Sequence, residues 1–386
     1  MTTQVLWRSG RVVSLERAWS AVRELVVELD DVTAYPGAGG SEPEHVRVLS
    51  LAYLPLVGAP AVGDRVLVTV GALARGLGTG GYALVAAIPD RLPQDPPPST
   101  GHLVKGRYMP LQAMVLGVDE QDSAYHASLR DADDLEGLPV VVADLHSALP
   151  AVVAGIRAVQ PTARVVYVLT DGGALPAWFS RSLATLRDTG WVAGCVSVGQ
   201  AFGGDLEAVT LHSGLLAARH VLHADVVVVA QGPGNLGTGT RWGFSGVACG
   251  EAINAAGILG GRPIASLRVS DADPRPRHRG VSHHSMTAYG RVALLPADVV
   301  VPDLPGELGA DVRAAAQQLC TPHGRHRLVE QPVDGLLDAL RGAPVVLSTM
   351  GRRLDDDPAA FLAPAAAGRY AADLVVAPKD GAAAVS

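Results

Sequence analysis

Few features restrict the fold of this chain as much as its short runs that are apolar at every position. "PVVVA", "RVVYVLT", "DVVVVA" and "DVVVP" are such runs. A strand with one wet face alternates apolar and polar side chains, whereas a strand apolar throughout has protein on both faces. Stretches with helical spacing lie between them, such as "ALPAVVAGIRAVQPT", "LPAWFSRSLATLRDTG" and "LEAVTLHSGLLAARHVLHA". The alternation continues through "WVAGCVSVG", "FSGVACGEAINAAGILGG", "RPIASLRVSD", "VRAAAQQLC", "HRLVEQ", "VDGLLDAL" and "PVVLSTMG". It predicts an α/β fold: a Rossmann-like, mostly parallel sheet covered by helices.

The first ninety residues follow another rhythm. Short β-branched runs such as "HVRVLSLAYL" and "DRVLVTVGAL" are separated by Gly, Pro and Asp, which predicts a small antiparallel sheet or barrel. The prolines of "PDRLPQDPPPSTG" break any continuing helix or central strand. The expected plan is a small β-rich domain over 1–88, a Pro-rich linker over 89–101 and a Rossmann-like α/β domain over 102–355. An Ala-rich helix with a disordered tail completes it over 356–386.

Composition narrows the partners. A formal charge of -7 over 386 residues argues against general nucleic-acid binding, which wants a broad basic face. No apolar run is long enough to cross a bilayer, and the start shows no secretion signal, so a soluble cytoplasmic protein is expected. Cys195, Cys249 and Cys320 are far apart, without a C-x-x-C pair, and suggest neither disulfides nor a zinc ribbon. Only Lys105 and Lys379 are lysines, a bias fitting an Arg-favouring genome that still draws notice to Lys105.

Ligands of open parallel sheets bind beyond the carboxyl ends of the strands. Those ends carry Asp144, His146 and Ser147, then Asp171, then Asp205 and Glu207, then "GPGNLGTGT". In that loop Gly232, Gly234 and Gly237 fit G-x-G-x-x-G, and with Thr238, Gly239 and Thr240 they suggest an anion cradle at a helix start. Pro233 removes one N–H, and no acidic residue ends the next strand. A dinucleotide is therefore not expected.

The stretch "RHRGVSHHSMTAYG" sets His283 and His284 in the first turn after a Ser282 N-cap, with Arg277 and Arg279 upstream. Protonated imidazoles are unfavourable at the positive end of a helix, so either both rings are neutral or an anion sits among them. Neighbouring helical residues point about 100° apart, so the two rings are expected to do different jobs. A divalent metal shared by His146, Asp171, Asp205 and one of these histidines suits zinc or a manganese-like ion, though no H-x-H or H-E-x-x-H spacing supports it. His212, His220 and His223 are expected within one helix, as surface or packing residues.

The strings "GLGTGGY", "GHLVKGRYMPLQ", "DLHSALP", "TDGGALP", "AFGGDLEAV", "GPGNLGTGTRWGFSG" and "RHRGVSHHSMTA", in that order, resemble the bacterial family known as domain of unknown function 3866, over about residues 1 to 350. The resemblance implies a widespread cytoplasmic bacterial protein, here with an actinobacterial bias, and implies no reaction. It also implies His where this chain has Gln200 and Glu where it has Asp144. On the residues, the expectation is an enzyme acting on a small anionic metabolite, phosphorylated or nucleotide-like. The glycine loop, Arg277 and Arg279 would hold the anion, and His283 or His284 would handle the proton. Asp171 or Asp205 would assist, while Lys105 and Arg107 close the site. The alternatives are a non-catalytic anion-binding regulator and a metal-dependent hydrolase, with a homo-oligomer open in each case.

Overall fold

The computed structural model describes residues 5–31, 46–78, 80–98, 100–320 and 324–376. Thr79 of "GLGTGGY" and the expected disordered end after Val376 lie outside them. The chain forms two compact units, one of residues 1–100 with 106–113 and one of 101–105 with 114–386.

In the first unit, β1 (Trp7–Trp19), β2 (Val22–Leu29), β3 (Val46–Tyr53), β4 (Arg65–Thr69) and β5 (Ala83–Ala87) close a barrel in the order β1-β2-β3-β5-β4. The other pairs are antiparallel, but β3 and β5 run parallel. With a short helix at Leu54–Val57 between β3 and β4, this is the connectivity of the small OB-type barrels. Alternation builds it: Val66 and Val68 point inward with Leu25, Val27, Val48 and Val85, and Arg65 points out. The barrel closes between β3 and β5 through two residue pairs, Ser50 with Ala83 and Leu51 with Leu84.

The second unit contains β6 (Pro139–Val142), α1 (Leu149–Val159), β7 (Val165–Thr170), α2 (Arg181–Asp188), β8 (Gly194–Ser197), β9 (Leu206–Glu207) and α3 (Leu211–His220). There follow β10 (Val226–Gln231), α4 (Ala248–Ile258), β11 (Arg262–Ser266), α5 (His283–Thr287), β12 (Asp298–Pro302), α6 (Gly306–Cys320), β13 (Arg327–Gln331), α7 (Leu336–Arg341) and α8 (Ala359–Val376). The sheet is wholly parallel, in the order β9-β8-β7-β10-β6-β11-β12-β13. Its strands serve two cores at once. Val227 and Val229 face one side with Leu215, Ile253 and Val312, while Val226 and Val228 face the other with Leu149, Leu186 and Phe361. That double burial explains the unbroken valine runs. Among the described residues no helix is long and apolar enough to cross a membrane.

The Ala-rich segment after Asp356, expected as a helix with a disordered end, contains the helix α8, which packs into the core through Phe361, Ala365 and Ala371. A Cβ at Gly155 of α1 would lie 1.9 Å from Ala365 O, and one at Gly368 of α8 would lie 1.9 Å from Val152 O. These two helices meet backbone to backbone, an approach that small residues permit. "PVVLSTMG" adds no strand to the sheet; Ser348–Thr349 pairs with Arg352–Arg353 in a separate hairpin.

Candidate functional site

Strand β6 leaves the sheet towards β7 through α1 on one face, whereas the adjacent β10 leaves towards β11 through α4 on the other. Opposite departures from neighbouring strands open a crevice beyond their carboxyl ends. Asp144 stands there, two residues past the end of β6, and Gln231 closes β10. Asp144 lies between two clefts. One is lined by Ser147, Arg268, Ser270, Thr349 and Arg352. The other is lined by Thr170, Gln231, Ser245 and Cys249.

After β11 the chain makes an excursion and returns. Val269–Ser270 pairs with Gly280–Val281, a 3-10 turn at Pro276–His278 forms the tip, and α5 begins at His283. Buried charge braces the excursion: Asp273, 1 % exposed, takes a forked bond from Arg275 (2.9 and 2.8 Å) and another from Arg352 (3.1 Å). Arg352 also bonds Asp357, which accepts from Ser270 Oγ at 2.6 Å. A bidentate guanidinium is rigid, so the loop's path is held firmly. Ser282 caps α5 by accepting from the His284 amide at 3.2 Å.

This path brings three imidazoles together. The ring centroids of His278, His283 and His284 are separated by 5.0, 5.0 and 4.5 Å, and one ligating atom from each falls within 4.8 Å of the others. α5 is a short turn that passes directly into a π-helical turn at Ala288–Val292, and the rings of His283 and His284 meet edge to face. His284 Nδ1 lies 3.2 Å from Asp144 Oδ2, and Arg268 Nη1 reaches the same oxygen at 3.4 Å. His278 Nδ1 is 2.8 Å from Ser282 Oγ. The Phe244 ring stacks on His284 at 3.8 Å and 5°. His283 Nε2 is buried without a hydrogen-bond partner among the described residues, as is Gln231 Oε1.

Electrostatics disfavour charge on two of the three rings, His278 and His283. Burial first, then the Arg268 and Arg275 guanidiniums, push the His278 imidazole down to about 3. Burial and the neighbouring cations lower His283 as well. For Asp144 burial acts upward, but Arg268 and His284 together outweigh it and hold the carboxyl below its ordinary value. The result is an ionised carboxylate beside a cluster in which His278 and His283 favour the neutral form, a set able to handle a proton or to ligate a metal.

The glycine loop meets this cluster at its far end only. Gly232 is buried, and a Cβ there would lie 2.3 Å from Ala174 O; one at Gly173 would lie 2.2 Å from Gly232 O. These glycines let two strand-end loops interlock, so the space read as an anion cradle is filled by protein backbone. Gly234 belongs to the same turn, whose Pro233 carbonyl accepts from the Ala174 amide. The helix does not follow at once either: α4 starts at Ala248, and Gly237 to Phe244 fold into a hairpin joined by a bridge between those residues. Thr238 and Thr240 spend their hydroxyls on that turn, against each other and against Gly243. Its tip faces Arg277, since a Cβ at Gly239 would lie 3.9 Å from Arg277 Nη2. Arg277 is exposed and has no acidic partner among the described residues, while Arg279 donates to the Asp271 carbonyl at 3.3 Å.

Other expected residues are engaged elsewhere. His146 uses both ring nitrogens, on Tyr167 Oη at 3.2 Å and Ser180 Oγ at 2.7 Å, and burial pushes it down to about 4. Asp171 is exposed and accepts from the Gln200 amide at 2.9 Å. Asp205 pairs with Arg187 and accepts from the Cys195 amide. The metal set of His146, Asp171 and Asp205 therefore does not assemble. Lys105 is 2 % exposed and bonds Glu207, Ser197 O and Ala201 O, so it braces β8 and β9 and closes no site. Arg107 is exposed and groups with the barrel unit. His212 and His220 sit on α3, and His223 follows it.

Sequence reasoning passed over Arg268, His278, Gln231 and Phe244 as site residues. Phe244 carried a faint signal, being one of only four Phe in the chain. A family model described as protein of unknown function (DUF3866) matches residues 49–368. No curated protein and no solved structure matches the chain.

Proposed function

The chain belongs to the DUF3866 family, a membership that names no activity, and from its site we propose a cytoplasmic enzyme acting on a small anionic metabolite, phosphorylated or nucleotide-like. One observation carries this reading. Three imidazoles, the Asp144–Arg268 pair and Arg277, a cation without an acidic partner among the described residues, converge beyond the sheet from positions 144 to 284. Arg277 meets a phosphate or carboxylate with two parallel hydrogen bonds, and Arg279 adds positive charge nearby. The imidazole cluster, with Asp144 orienting His284, supplies the group that activates the nucleophile. The hairpin tip at Gly237–Thr240 borders the bound anion, and Phe244 anchors that hairpin to His284.

The test is a thermal-shift screen with inorganic phosphate, sugar phosphates and nucleoside monophosphates. A ligand at a hundredfold its Kd stabilises the folded state by about 2.7 kcal/mol. At least one of these compounds is expected to raise Tm, and Arg277→Ala is expected to weaken its binding about ten- to a hundredfold, as loss of a charge-assisted bond does. No shift with any compound, or equal binding by the variant, defeats the proposal.

A further inference from the structure

We propose that His278, His283 and His284 hold a divalent transition metal of the zinc class, which makes the reaction at this site a hydrolysis. The inference deepens the preceding one and rests on its placing the reaction at this cluster. Geometry speaks first. A tetrahedral zinc with bonds of about 2.0–2.1 Å wants ligand nitrogens about 3.3 Å apart, and these already stand within 4.8 Å, so small ring rotations close the difference.

The surroundings point the same way. Metal-bound histidines give their second nitrogen to a carboxylate or other acceptor, which sets the tautomer and the ring's direction. Asp144 stands at Nδ1 of His284, which Arg268 Nη1 also approaches at 3.1 Å, and Ser282 Oγ stands at Nδ1 of His278; with those nitrogens engaged, the Nε2 atoms are the ones left to ligate. His283 Nε2, sealed from solvent without a partner, has a lone pair that protein leaves unanswered and a cation would satisfy. Arg268 does not oppose the ion, because Asp144 offsets its charge.

Three imidazole nitrogens select zinc, cobalt, nickel, copper or iron over magnesium and calcium, which prefer oxygen. Three protein ligands with a fourth position open is the pattern of hydrolytic centres, where bound water ionises near pH 7. Hydrolysis needs no further reactant. Water oxygen bonds to the acyl carbon or phosphorus, the ester bond to the leaving oxygen breaks, and that oxygen takes up a proton. Arg277 beside the cluster fits an ester that carries an anionic group.

The experiment is cobalt(II) titration of the chelator-treated full chain, with visible d–d absorption as the readout and circular dichroism to verify folding. Expected are saturation at one ion per chain, displacement by zinc, and no displacement by magnesium. His278→Asn, His283→Asn and His284→Asn should each abolish the intense four-coordinate band. Asp144→Asn should weaken binding about ten- to a hundredfold with unchanged stoichiometry, and His212→Asn should change nothing. A folded protein without the band, or a band that survives all three histidine substitutions, overturns the metal. Anion binding by the chelated protein without the band leaves the anion reading standing alone. The band with no binding or turnover of any anionic ester keeps the metal and sinks that reading.

Discussion

A lysine held at 2 % exposure needs its charge answered on every side, and Glu207 with two main-chain carbonyls does so for Lys105. Burial raises the Glu207 carboxyl, against the pull of Lys105 and two backbone amides. Removing one member of such a pair strands the other, which costs about 3–5 kcal/mol, whereas replacing both by apolar residues is often close to neutral. Lys105→Met is therefore expected to lower unfolding free energy in urea by that amount, and Lys105→Met with Glu207→Leu to regain most of it. A single variant as stable as the parent would refute the pairing. The rarity of lysine drew attention to this position, but its role was illegible: the partner lies 102 residues along the chain. The same distance hid the site's pairing of Asp144 with His284, 140 residues apart. The Ser282 cap was readable because its donor is two residues away.

Helices α1 and α8 show the limit at the level of elements. An Ala-rich segment has little contrast between its faces, so periodicity cannot announce which one is buried. In the fold, lack of bulk is what lets Gly155 and Gly368 bring the two backbones into contact. Gly368→Val is expected to force the helices apart and cost about 1–3 kcal/mol, as overpacking of a tight core does, read as a fall in Tm. An unchanged Tm would mean that the contact is slack. The excursion between β11 and α5 was legible only in its last turn. The position of His278 depends on a two-residue ladder and an ion network that reaches Asp357 from another part of the chain.

Across the whole α/β unit, the end of the sheet opposite the site is tied by one carboxylate. Asp298 accepts from Arg262 at 2.6 Å, Arg327 at 2.7 Å and Tyr370 at 2.8 Å, joining β11, β12 and β13 to α8. Burial acts to raise its pKa, but the bonds from Arg327, Arg262 and Tyr370 outweigh it and lower the value. A depressed folded-state pKa stabilises above the unfolded value of about 3.9, and that contribution is lost as pH falls from there through the folded value. Acid denaturation should thus steepen below about pH 4, and Asp298→Asn should begin less stable and lose less on acidification. Parallel stability–pH curves for the two proteins would show that the knot carries no linkage.

Doubly buried strands and their helices could be read directly, because each residue's burial leaves its mark within one strand or one turn, and the N-terminal barrel was legible for the same reason. Strand order was not: β10 slips between β6 and β7 by a crossover whose destination no local pattern records. That insertion creates the switch point, and with it the meeting of Asp144, Arg268 and the three histidines. Folding back a distant segment places those side chains together, and chemistry between residues more than a hundred positions apart exists only once it has done so.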